Sequence, residues 1–178
     1  MIKRLSACTV IVCTCLLVLT NSLWAQSGKY AGSMKQLVGA SYMKTDTIAS
    51  LKTWTSREGT MLSEVNDPET ITINVFQKGT TWLFFMSISD SASEGQTLQK
   101  MNIVDVVEVK NVPKGYEIKT ALCREYKQEN TWIVALVKPA STHYSKAIRA
   151  WRFSRDKIQF QVTNAKVVDC LNEGAEQY

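Results

Sequence analysis

Histidine is almost missing from this chain: His143 is the only one in 178 residues. Two cysteines and one histidine beyond residue 25, with no ligand cluster at short spacing, do not make a zinc site. No G-x-S-x-G elbow, phosphate loop, dinucleotide fingerprint, zinc-protease helix motif or EF-hand loop occurs. The sequence therefore points to no metal and no cofactor. Proline is scarce as well, at Pro68, Pro113 and Pro139, each at an expected element boundary. Repeats, low-complexity tracts and long linkers are lacking. Nor does one sign of charge dominate: 21 Lys and Arg stand against 16 Asp and Glu, spread along the chain. A weak, dispersed basic balance favours solubility and argues against a nucleic-acid partner.

Long apolar runs are missing too, and the one near the N-terminus has a specific reading. Lys3 and Arg4 precede an uncharged, mostly apolar stretch from Ala7 to Leu19, followed by Asn21, Ser22 and Ala25. That order is a secretory signal peptide. Its 13 apolar residues fall short of the roughly 20 needed to span a hydrocarbon core. Cleavage is expected after Ala25, with Ser22 as the alternative. Leu5-Ser6-Ala7-Cys8 spells a lipobox, but no apolar run precedes it. The expected products are a signal peptide at 1–25 and a single domain at 26–178. The mature domain is expected to be periplasmic or secreted, with no stable membrane insertion. Losing Lys3 and Arg4 lowers the formal net charge from +5 to +3.

Removing the leader also reduces five cysteines to two, Cys123 and Cys170. An even pair in an oxidising compartment reads as one disulfide. Closing a loop of this length is worth about 4 kcal/mol by chain entropy.

Two helices are expected first. Ser33 and Gln36 match a capping box, with Met34, Leu37, Val38 and Tyr42 on one face, although Gly39 weakens the middle. A second short helix is expected from Thr47, with Ile48, Leu51 and Trp54 inward. Arg57-Glu58-Gly59 and Asn66-Asp67-Pro68 read as turns. The period then changes to two. Ile71, Ile73 and Val75 alternate with polar residues, and Thr81 to Ser89 is apolar on both faces, as a central strand with cover on both sides. Asp90 to Gln99 reads as a polar loop. Further strands are expected at 103–109, 116–124, 131–138, 147–153 and 158–162, with a short last one into Cys170. This order implies an α+β domain: one or two N-terminal helices on an antiparallel sheet of six or seven strands. An all-β sandwich or lipocalin-like barrel is the alternative.

Chemistry has few places to sit. His143, near Ser141 and Ser145, is a candidate general base for a hydrolase. Glu58, Glu64, Asp67 and Glu69 cluster in turn-like context, and Asp105 and Glu108 share a strand on opposite faces. Asp105 is expected on the face of Ile103, Val107 and Val109, either as a buried acid or as a paired rim carboxylate. Arg149, Trp151, Phe153 and Arg155 fall on one face of a strand. That pattern suits a binding surface of cations beside aromatics. It equally suits a core strand whose arginines cap its ends.

The stretch from Asn111 through Cys170 resembles small secreted proteins of Gram-negative bacteria. It carries Pro113-Lys114-Gly115-Tyr116, Val134-Ala135-Leu136-Val137-Lys138 and Ala150-Trp151-Arg152. The resemblance implies no function. The expected function is a small exported, disulfide-containing binding domain without catalytic role. Its partner would be an envelope or secreted protein, engaged for example as an inhibitor or immunity-type protein engages its target. The alternatives are a periplasmic hydrolase using His143 and a lipocalin-like carrier of a small apolar ligand.

Overall fold

The computed structural model describes residues 34–63, 69–89, 99–130 and 132–172. Of these, 56% are strand and 10% are short helical turns, and no helix reaches seven residues. The α+β expectation is therefore corrected to the all-β sandwich: two antiparallel sheets that do not close into a barrel. The first contains β1 (Ser41–Tyr42), β2 (Thr55–Met61), β3 (Ile71–Lys78), β4 (Thr81–Ser89) and β5 (Met101–Val109), in the order β1-β5-β4-β3-β2. The second contains β6 (Glu117–Thr120), β7 (Cys123–Glu125), β8 (Gln128–Glu129), β9 (Ile133–Val137), β10 (Tyr144–Ser154), β11 (Gln159–Thr163) and β12 (Val168–Leu171). Its order is β6-β9-β10-β12-β7-β8, with β11 beside the second half of β10.

Gly39 decides the fate of the first expected helix. Residues Met34–Leu37 make one 3-10 turn, and Gly39 then takes φ +86°, a conformation that ends a helical segment. Its N–H donates to the Ile103 carbonyl, so the chain joins the edge of β5 instead of coiling on. Leu37 and Tyr42 are buried as expected, but Val38 is exposed. The second expected helix is two 3-10 turns, Thr45–Thr47 and Ala49–Leu51, separated by an extended Ile48. Ile48 and Leu51 still point inward.

Other corrections follow from local geometry. Arg57-Glu58-Gly59 is not a turn; it lies in β2, with a bulge between Ser56 and Glu58. The single strand expected over 116–124 is broken at Ala121, φ +60°, into β6 and β7. The polar connector after it is the hairpin partner β8. Short strands of this kind raise the count to twelve among the described residues. The turn at 66–68 and most of the loop after Ser89 lie outside the described residues.

Three apolar layers hold the sandwich. Between the sheets, Ile71, Ile73, Trp82, Phe84 and Met86 meet Ile118, Val134, Leu136, Trp151 and Phe153. These side chains are almost wholly buried against one another, and the two sheets do not form the closed barrel of the lipocalin-like alternative. On the outer face of the first sheet, Leu37, Tyr42, Ile48 and Leu51 cover Phe76, Leu83, Phe85 and Val106. That layer explains why β4 is apolar on both faces. On the far face of the second sheet, Cys123, Val168 and Cys170 pack on Ile133, Ala135, Val137 and Ala150. Cys123 and Cys170 are directly opposed on β7 and β12 and form the disulfide. No helix among the described residues is long and apolar enough to cross a membrane.

Candidate functional site

β10 carries the aromatic residues singled out from the sequence. A register shift between Ala147 and Arg149 resets its alternation. Ala147 and Ala150 therefore face the disulfide layer, while Arg149, Trp151 and Phe153 share the other side. Trp151 and Phe153 are each 4% exposed. They belong to a chain of rings through the inter-sheet core. Trp132 lies 6.0 Å from Phe153, Phe153 5.6 Å from Phe160, Phe160 5.0 Å from Phe84, and Phe84 5.1 Å from Trp151. Exposed guanidinium groups cap both ends of this chain. Arg149 sits 5.0 Å from the centre of Trp151 and Arg155 4.8 Å from Trp132. Only these two arginines, of the four residues, remain open to a partner. The faces of Trp151 and Phe153 are taken up by packing against other rings, so here they form core.

His143 is exposed, edge-on to Tyr144 at 4.7 Å, and its carbonyl accepts from the Asn172 N–H. Ser145 is buried, its hydroxyl accepting from the Ala140 N–H, and Ser141 is exposed. No group of three His, Cys, Asp or Glu side chains among the described residues is placed to hold a metal ion. Of the acidic cluster, Glu64 and Asp67 lie outside the described residues, and Glu69 is exposed.

Asp105 is buried, and it is a paired acid. A register shift separates it from Ile103, so it shares the inter-sheet side with Val107 and Val109 but not with Ile103. Its Oδ1 accepts from Lys35 Nζ at 2.5 Å and from its neighbour's N–H, Val106, at 2.8 Å. Oδ2 accepts from the Phe160 N–H at 2.7 Å. One carboxylate thus ties the N-terminal segment, the edge of the first sheet and the edge strand of the second. A site saturated in this way is structural.

On the opposite side of the sandwich lies a groove of about 710 Å³, which the sequence did not reveal. Its walls are β2 and β6, which among the described residues pair on one side only, with β3 and β9. Thr60 and Thr120 meet at 2.7 Å between their hydroxyls, and Thr120 also donates to Glu58. Arg57, Gln77, Tyr116, Lys119 and Leu122 line the groove around this join. The charges are of both signs, and Lys119 pairs with Glu117 at 3.2 Å. Sequence reading missed the groove because Arg57-Glu58-Gly59 looked like a turn, and turns have no edge.

Comparison of the chain with family models, with curated proteins and with solved structures finds no match. The molecule is thus a small disulfide-containing β-sandwich domain.

Proposed function

We propose that this chain is an exported, soluble binding domain without catalytic role. It recognises an extended segment of an envelope or secreted protein, as an inhibitor does, at the groove between β2 and β6. The carrying observation is that two strands, each paired on one side only among the described residues, border one open groove. Such edges present rows of backbone N–H and C=O groups that an added strand can satisfy. Mixed lining charges favour recognition through the backbone, with Tyr116 and Leu122 as side-chain contacts. The disulfide and the filled core support a rigid scaffold, which lowers the ordering cost of capture.

The test compares mature, oxidised protein with an Arg57→Ala, Leu122→Glu variant as bait in an envelope extract. Both substituted side chains are exposed, so folding should persist. The groove variant is expected to lose the captured protein, and Arg149→Ala, which does not line the groove, to keep it. Equal capture by both variants, or none by the parent, sinks the reading.

A further inference from the structure

The hairpin between β7 and β8 breaks a local rule. Glu125 pairs with Gln128, which leaves a two-residue turn, Tyr126-Lys127. Both residues have positive φ, 50° and 67°. This is the geometry in which Asn-Gly is favoured, because a side chain at positive φ crowds the backbone. Here two large side chains occupy it. Backbone strain of this kind persists where the surroundings hold it, and it clusters at ligand sites.

Tyr126 is 70% exposed, and it borders a cleft of about 270 Å³. Lys127, Lys146 and Lys166 line the same cleft, each exposed and none with an ion-pair partner among the described residues. Asp169 is the single carboxylate in the lining. Its two oxygens are already taken by Arg124, at 2.8 and 2.9 Å. That bidentate bond, with the attraction of the charges, holds the Arg124 guanidinium above its usual pKa. Arg124 also lies 3.2 Å over the Tyr144 ring, which fixes the pair in place. The cleft therefore presents, beside an exposed ring, three ammonium groups without an ion-pair partner among the described residues.

We infer that the cleft formed by Tyr126, Lys127, Lys146 and Lys166 binds a phosphate ester, with the ammonium groups on the phosphate and the tyrosine ring against the group that carries it. Ammonium groups act on phosphate as point charges and need no fixed fork geometry, which suits flexible lysines on separate elements. The three come from the β7–β8 turn, from β10 and from the 3-10 turn Ala165–Val167, so only the folded chain assembles them. The site lies apart from the groove between β2 and β6, sharing no lining residue with it, and does not depend on it.

The test titrates glucose 6-phosphate, glucose and inorganic phosphate into mature, oxidised protein, followed by calorimetry or amide NMR. A second arm uses vesicles of phosphatidylcholine, with and without phosphatidylglycerol. Glucose 6-phosphate is expected to bind and glucose not. Affinity should fall with salt, and at least tenfold in Lys127→Ala with Lys146→Ala. The decisive variant replaces Tyr126-Lys127 by Asn-Gly. It relieves the turn, so its melting temperature should rise while binding is lost. Binding to phosphatidylglycerol vesicles alone, also lost in that variant, assigns the phosphate to a lipid head group. No binding of any phosphate probe by the parent, or undiminished binding by the Asn-Gly variant, overturns the inference.

Discussion

Asp105 offers the sharpest test of how this sandwich is closed. Replacing it by alanine removes one acceptor from Lys35, one from Val106 and one from Phe160. An orphaned buried donor costs about 1–3 kcal/mol. The Lys35 side chain is 36% exposed, so its ammonium can turn to water and adds only about 1 kcal/mol or less. Asp105→Ala should therefore destabilise the oxidised protein by about 3 kcal/mol, mostly through the two backbone amides. Asp105→Asn keeps a single acceptor oxygen and must set its NH2 against either Lys35 and Val106 or Phe160, at about 2 kcal/mol. Lys35→Met removes the ion pair, leaves the carboxylate on both backbone amides, and should cost about 1 kcal/mol. Urea unfolding measures all three with the slope unchanged, and amide exchange at Phe160 should quicken in both Asp105 variants. If Lys35→Met costs as much as Asp105→Ala, or Asp105→Asn is neutral, the carboxylate is not the joint described above.

Two further outcomes test the rest of the scaffold. Cys123→Ala with Cys170→Ala opens the crosslink across a sequence separation of 47 residues. It should cost about 4 kcal/mol, lowering the melting temperature by roughly 8–16 °C in calorimetry; an unchanged melting temperature removes the disulfide from the account. Trp151→Ala should cost about 3–5 kcal/mol, because the indole fills the inter-sheet core, whereas Arg149→Ala should cost under about 1 kcal/mol. Equal effects in chemical unfolding would contradict the placement of the two side chains.

Strand positions were legible wherever side chains alternate. The stretches containing Ile71, Ile73 and Val75, and the doubly apolar run from Trp82 to Ile88, lie in β3 and β4 as their patterns require. The pattern around Leu37, Ile48 and Leu51 identified these three as inward, missed on Val38, and assigned the wrong backbone. Burial depends on which side chains are apolar, while coil or strand there depended on Gly39 reaching β5, some sixty residues on. For Arg149 to Arg155 the alternation was equally clear, yet it could not say whether the face met water or another sheet. That distinction is made by Phe84 and Phe160, which arrive from elsewhere in the chain.

By itself the sequence determined the pairing partners available for a crosslink: Cys123 and Cys170 are the two cysteines beyond residue 25, and they are the pair that forms the disulfide. It also determined the alternating strands, since a period of two is written residue by residue. Tertiary structure alone decided that β2 and β6 border one groove, and that Lys127, Lys146 and Lys166 surround one cleft. Both are meetings of segments distant in the chain. Local spacing carries no information about them, because long-range packing fixes which edges and charges come together.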